Sequence, residues 1–211
     1  MQSLETKPLL VDTSRITLRI THEEFELLCQ DNPDLRLELT ANGELVTMSP
    51  AGYESSEKNG DLFGYIWAWN LKDRSGRIFD SSGGFTMPDG AVKSPDVTWI
   101  EKSKLVGVPP GVAFPLVIPD FVVELRSQSD SLEAAQLKMA EYCTNGVRLG
   151  WLVNPQKKPL GETHAEETSA RFHPQVEIYR LGQEKEVLQS PTTLNGEDVL
   201  PGLILDLSLI W

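Results

Sequence analysis

Two acidic residues in strand-like segments of this chain could together bind a divalent cation. Asp96 follows Ser94-Pro95 at the start of one apolar run, and Glu124 lies inside another, at residues 119–127. A carboxylate in a buried strand costs free energy unless it is paired or binds a cation. Mg²⁺ requires only a few carboxylates together with water and phosphate oxygens. Carboxylates on neighbouring strand ends therefore predict a Mg²⁺ or Mn²⁺ site, with the two groups within about 6 Å of each other.

Both residues also have a purely structural interpretation. Glu124 and Arg126 point to the same face of a strand, because side chains alternate along it, and they could form an ion pair. Asp96 could simply be the turn residue that begins a strand. A structure with the two carboxylates on opposite faces of a sheet would exclude the shared cation.

A lysine on the following helix is the third candidate. Ala134, Lys138 and Tyr142 are spaced four apart, so they share one face of the helix predicted at residues 131–145. The ammonium of Lys138 could then reach the end of the Glu124 strand, where it would stabilise charge on a phosphate transition state or position a water. The alternative is a surface lysine whose ammonium extends into solvent.

The elements that must position these residues predict an α/β fold. The runs at 119–127 and 149–153 flank the 131–145 helix, and this strand–helix–strand unit has the length of a parallel crossover. We therefore expect a mixed central sheet flanked by helices. Before it, Thr21 and Glu24 predict a capped helix, and Asn42-Gly43 predicts a hairpin, so that a helix and hairpin extend the core. The other predicted elements are a helix at 54–74 and strands at 76–80, 85–87, 176–180 and 186–189, with a polar loop at 156–171 and an apolar segment at 201–207.

Length and composition bound the class of protein. The 211 residues, 40% of them hydrophobic, predict one domain at residues 15–211 after a loose lead-in at 1–14. The net charge of −12 opposes nucleic-acid binding. However, residues 61–161 carry 11 basic and 11 acidic groups, so the acidic excess lies at the two ends. Scattered histidines and the isolated Cys29 and Cys143 exclude a zinc site. With no signal peptide and no apolar membrane span in the sequence, we expect a cytoplasmic protein.

Four ordered motifs give the chain a resemblance to a known family. They are Met48-Ser49-Pro50, Ser94-Pro95-Asp96, the segment from Pro119-Asp120 through Glu124-Leu125-Arg126-Ser127, and Lys138-x3-Tyr142-x3-Gly146-Val147-x3-Trp151-Leu152-Val153-Asn154-Pro155. Together they resemble the Uma-two family, also called domain of unknown function 820, over roughly residues 15–207. The family is abundant in cyanobacteria and belongs to the PD-(D/E)XK nuclease superfamily. The resemblance implies a restriction-endonuclease-like core.

The resemblance also implies roles for individual residues. Asp96 and Glu124 match the metal-ligand carboxylates, and Glu38 matches a further acidic position near the metal, although it could also be an exposed strand residue. The superfamily lysine is expected two residues after the glutamate, where this chain has Arg126, which cannot act as a base but can bind phosphate. Lys138 matches a lysine that the family often carries on the next helix. The family's frequent histidine after the Ser-Pro loop is absent from Tyr53-Glu54-Ser55-Ser56-Glu57.

These implications predict a Mg²⁺-dependent DNA endonuclease with an Asp-Glu-Lys site, acting as a homodimer on DNA. Two alternatives stay open at this point. The chain could be a catalytically inactive module of the nuclease fold that binds nucleic acid or protein, which Arg126 and the net charge favour. It could also be a structural or oligomerising protein whose carboxylates form salt bridges.

Overall fold

The computed structural model describes residues 16–127, 130–155 and 173–211. The lead-in predicted at 1–14 and the polar loop predicted at 156–171 lie outside the described residues. The described helices are α1 (His22–Asp31), α2 (Tyr53–Asp73) and α3 (Leu132–Thr144), with a short 3-10 helix at Lys102–Leu105. The described strands are β1 (Arg36–Leu39), β2 (Leu45–Met48), β3 (Gly76–Asp80), β4 (Phe85–Thr86), β5 (Val92–Lys93), β6 (Val97–Glu101), β7 (Phe121–Leu125), β8 (Leu149–Asn154), β9 (Gln175–Arg180), β10 (Glu186–Gln189), β11 (Thr193–Asn195) and β12 (Ile204–Asp206).

A six-stranded mixed sheet forms the centre of the fold, in the order β10-β9-β8-β7-β6-β3. β7 and β8 are parallel and joined through α3, which confirms the predicted crossover, and the other pairs are antiparallel. The strands of the crossover are buried on both faces, because Val122 packs toward Met139 of α3 whereas Val123 packs with Leu62 of α2. The predicted mixed sheet flanked by helices is therefore confirmed. None of the described helices is long and apolar enough to cross a membrane.

A second, four-stranded sheet has the order β2-β1-β5-β4. The predicted hairpin is present, with Leu39 opposite Leu45 and the turn residue Gly43 at φ +77°. The strands predicted at 76–80 and 85–87 are present as β3 and β4, but they belong to different sheets, and β4 pairs with β5. The physical reason is the Asp89-Gly90 turn, which closes the β4–β5 hairpin with Gly90 at φ +89°. The helix–hairpin unit is thereby joined to the core through β5.

The contact between α2 and the central sheet depends on a glycine. A Cβ at Gly76 would lie 2.2 Å from the indole of Trp99, which is buried and donates to the Asn70 side chain of α2 at 2.9 Å. Gly76→Ala should therefore lower the free energy of unfolding by about 1–3 kcal/mol, through overpacking. Gly64→Ala is the control, because a Cβ there meets no atom within 4 Å and alanine favours a helix by about 1 kcal/mol. Urea denaturation measures both, and equal stability of the two variants would contradict this account.

Candidate active site

The pairing of β6 with β7 brings Asp96 and Glu124 to adjacent strands. Val97 lies opposite Val123 in the antiparallel register, so one further step places Asp96 opposite Glu124 on the same face. The Asp96 carboxylate is held by both neighbouring elements. Its Oδ2 accepts the Leu125 backbone N–H at 2.8 Å, and its Oδ1 accepts the Asn59 side-chain amide of α2 at 3.1 Å. The two predicted carboxylates therefore flank one end of the sheet.

Lys138 extends from α3 to the same place. Its Nζ lies 2.9 Å from Glu124 Oε1 and 2.9 Å from Glu38 Oε1. Only 21% of the Lys138 side chain, 13% of Glu124 and 4% of Glu38 is exposed, so this is not a solvent-directed surface lysine. Ala134, four residues before Lys138, is exposed in the first turn of α3. Tyr142, on the other side of Lys138, is the buried neighbour.

Glu38 reaches the cluster because β1 presents its two faces to different surroundings. Leu37 and Leu39 pack with Phe25 of α1, while the intervening Glu38 points the other way. Its Oε1 also accepts the Ser94 backbone N–H at 2.9 Å. Glu38 is thus a buried partner of Lys138, not the exposed strand residue that the sequence left open.

Two further residues contact the carboxylates and were not assigned a role from the sequence. The Tyr142 hydroxyl donates to Glu124 Oε1 at 2.8 Å, and Asn59 donates to Asp96. The Tyr142 spacing from Lys138 was visible in the sequence. Asn59 is three and seven residues before Leu62 and Ile66, so it lies on the inward face of α2. A polar residue at that position was the available indication of a role.

Arg126 lies beside the cluster but turns toward the end of β8. Its Nη1 donates to the Asn154 side chain at 3.1 Å, and its Nε donates to the Asp130 carbonyl oxygen at 3.0 Å. Both of these acceptors are uncharged. Among the described basic residues, Lys138 is the one that forms an ion pair with Glu124. The structure therefore brings Glu38, Asp96, Glu124 and Lys138 together and directs Arg126 to a neighbouring loop.

The charges of the cluster do not balance. Burial raises the pKa of Glu124; Lys138 opposes this shift, while Asp96 and Glu38 add to it, and the resulting pKa is about 7. Burial lowers the pKa of Lys138, but the charges of Glu124 and Glu38 outweigh it and raise that pKa. Burial and Glu124 also raise the pKa of Tyr142. At neutral pH Lys138 is thus a cation and Tyr142 is a neutral hydrogen-bond donor, whereas Glu124 is only partly ionised.

The donor atoms fit a hard divalent cation. In the part of the chain that the structure describes, no three acidic, histidine or cysteine side chains converge closely enough to enclose a metal. Mg²⁺ does not need such an enclosure, because one or two carboxylates with water and phosphate oxygens suffice. The Asn59 Oδ1, an oxygen of the kind such ions accept, is buried beside Asp96 and has no hydrogen-bond partner among the residues that the structure describes. Asp96 and Glu124 are the pair that would hold the ion.

Comparison with known proteins identifies relatives of the whole domain. The model of the family Uma2, described as "Putative restriction endonuclease", matches residues 22–208. Among solved structures, a protein described as a "putative nuclease belonging to DUF820" from Anabaena variabilis has 20% sequence identity to this chain. The match covers 81% of this chain and 86% of that one, with a TM-score of 0.63, which shows a shared fold. Curated proteins give no match.

Proposed function

The chain belongs to the Uma2 family, and from that membership and the geometry of its site we propose that it is a Mg²⁺- or Mn²⁺-dependent DNA endonuclease. The observation that carries the proposal is the position of Lys138, whose ammonium contacts Glu38 and Glu124 at the strand end that also bears Asp96. Two strand-end carboxylates and a lysine can together support metal-dependent phosphodiester hydrolysis, by binding the cation and by stabilising charge on the phosphate. They project from three different elements of the sheet and its crossover helix.

Each residue has a separate task in this proposal. A divalent cation bound by Asp96 and Glu124 would supply a hydroxide-like water and neutralise charge on the scissile phosphate. Lys138 donates hydrogen bonds to the phosphate oxygen or holds the attacking water in line. Glu38 keeps Lys138 charged and fixes its direction, which suits it to a positioning role more than to metal binding. Tyr142 and Asn59 orient the two metal-binding carboxylates.

Cleavage of supercoiled plasmid tests the proposal directly. The intact chain should nick or linearise the plasmid with Mg²⁺ or Mn²⁺ and leave it unchanged in EDTA. The proposed activity would be contradicted if the folded protein left the plasmid intact at every Mg²⁺, Mn²⁺ and salt concentration.

The reaction should depend on pH through Glu124. Because burial and neighbouring carboxylates raise its pKa to about 7, a cation must displace a proton from Glu124 below that pH. At subsaturating Mn²⁺, single-turnover cleavage should rise about tenfold per pH unit up to about pH 7 and then level off. The measurement is the rate against pH at fixed metal concentration. A rate that does not change from about pH 5.5 to 8 would show that Glu124 does not bind the ion.

A non-catalytic module is the second candidate, and one observation favours it. The Lys138 ammonium already satisfies Glu38 and Glu124, so the cluster can exist as a buried salt bridge without any ligand. The presence of Arg126 where the superfamily has a lysine also favours a non-catalytic module. Such a module would bind DNA or protein through this face without hydrolysis. If its ligand is DNA, it would bind a duplex but leave plasmid intact.

The substrate and assembly are part of the same proposal. Because residues 61–161 carry as many basic as acidic groups, the acidic ends of the chain oppose DNA binding less at this segment than a uniform charge of −12 would. A homodimer would join two such clefts and match the two-fold symmetry of palindromic DNA. Sedimentation of the free chain and of its DNA complex measures this assembly.

A further inference from the structure

Arg36, at the start of β1, has no countercharge among the described residues. Its Nη2 donates to the Ser81 carbonyl oxygen at 3.0 Å, while its Nε–H is buried and meets no acceptor in the described part of the chain. Within the described ranges Arg36 forms no ion pair with an acidic side chain. A buried charged donor without an acceptor is costly, so an unfilled one calls for an explanation. An anionic phosphate of the substrate beside the guanidinium would supply the missing countercharge.

The position of Arg36 places this donor beside the cluster. Asp80 pairs with Val97 at the end of β3, so the next residues, Ser81 and Asp96, lie about one strand spacing apart, roughly 4.8 Å. Arg36 reaches Ser81 and shares a face of β1 with Glu38, which contacts Lys138. The guanidinium therefore borders the cluster on its β3 side, across Asp96 from Lys138.

Unsatisfied polar atoms concentrate at this border. In the described part of the chain, four buried side-chain polar atoms have no partner: those of Arg36, Asn59, Thr98 and Trp151. Asn59 donates to Asp96, and Arg36 donates to Ser81, which the β3–β6 register places beside Asp96. Two of the four atoms therefore belong to side chains on this side of the cluster. A guanidinium suits an anionic phosphate, whereas the Asn59 oxygen suits a cation or a water.

We propose that Arg36 binds a non-bridging oxygen of a backbone phosphate adjacent to the scissile one. The inference rests on the proposed nuclease function and assigns it a substrate contact that neither the family pattern nor the metal-binding pair contains. Arginine suits the task because its planar guanidinium carries several N–H donors and a charge that match a phosphate. Here Ser81 orients the guanidinium through Nη2, and Nε is closed to solvent, so the Nη groups make the contact.

Binding of a fluorescein-labelled duplex, measured by anisotropy in EDTA over a series of salt concentrations, tests the inference. EDTA prevents metal-dependent cleavage, and all proteins carry Glu124→Gln, which removes one repelling charge. Arg36→Met should weaken binding about tenfold and reduce the slope of log affinity against log salt by about 0.9. Arg36→Lys should keep the slope and lose less affinity. Arg77→Met, an exposed arginine at the far end of β3, makes the same charge change and should alter neither quantity.

The possible outcomes separate this inference from the proposed function. Unchanged DNA affinity and salt dependence in Arg36→Met, or equal losses in Arg77→Met, would overturn the phosphate contact. Plasmid cleavage by the native chain would still support the proposed nuclease function. If Arg36→Met is less stable but both Arg36→Lys and the folded fraction of Arg36→Met keep the salt dependence of binding, the phosphate contact is overturned. Arg36 would then only stabilise the turn at Ser81. If the protein that carries Glu124→Gln alone binds no duplex at low salt, the phosphate contact is also overturned. The plasmid assay then tests separately whether the native chain is a nuclease.

Discussion

Glu124→Gln should lower Mg²⁺-dependent cleavage by about 10³-fold, because losing one carboxylate from a two-carboxylate site forfeits several kcal/mol of charge stabilisation. The glutamine preserves the volume of the side chain and can still accept the Tyr142 hydroxyl, so the fold should persist. Glu133→Gln, in the exposed first turn of α3, makes the same charge change away from the cluster and should cleave normally. Single-turnover rates of the three proteins on plasmid measure the effect.

The ligand role of Glu124 is also separable from a role in stability. Circular dichroism and urea denaturation should give a folded Glu124→Gln protein, since the variant removes a carboxylate whose burial is unfavourable. Cleavage by this variant within a few-fold of the native rate would remove Glu124 from the site. In that case its contacts with Lys138 and Tyr142 would be structural.

Lys138→Met should slow cleavage by about 10²–10³-fold, the usual loss when a preset donor to developing charge is removed. Unlike Glu124→Gln, this variant should not weaken metal binding. The Lys138 ammonium competes with a cation for Glu124 Oε1, so removing it should leave Mn²⁺ affinity unchanged or increase it. Lys138→Arg keeps the charge and should recover part of the rate.

Arg126→Met decides which basic residue acts in the reaction. The Arg126 guanidinium contacts Asn154 and Asp130 instead of Glu124, so this variant should lose no more than about tenfold, as expected for one supporting phosphate contact. Retained activity in Lys138→Met together with a large loss in Arg126→Met would reverse the assignment.

Local patterns predicted most of the fold. The capping box of α1, formed by Thr21 and Glu24, and the Asn42-Gly43 hairpin are determined by neighbouring residues, and both are present as predicted. The parallel crossover was equally accessible, because a buried strand, a helix and a second buried strand follow each other at the right length. The pairing of β4 with β5 was missed, because strands of two residues carry too little periodicity to indicate a partner.

The site was less accessible, because its residues come from separate elements. The sequence indicated Asp96 and Glu124 through their strand context, yet only the β6–β7 register places them on one face. The resemblance indicated Glu38, but its contact with Lys138 depends on how the second sheet packs. For Asn59 the pattern showed only a polar residue on the inward face of α2, and for Arg36 it showed nothing. Both were recognised because they have buried atoms without a partner in the described part of the chain, which is a property of the tertiary structure.

Isothermal titration calorimetry with Mn²⁺ tests the central claim most directly, which is that Asp96 and Glu124 form a cation site completed by phosphate. The titration is made at low salt and about pH 8, where Glu124 is ionised, with and without a short duplex. We expect weak Mn²⁺ binding to the free protein, at least tenfold tighter binding with duplex, and the loss of both in Glu124→Gln but not in Glu133→Gln. A folded protein that shows no Mn²⁺-dependent heat with duplex present, or that binds Mn²⁺ equally well as Glu124→Gln, would contradict the claim and favour the non-catalytic module.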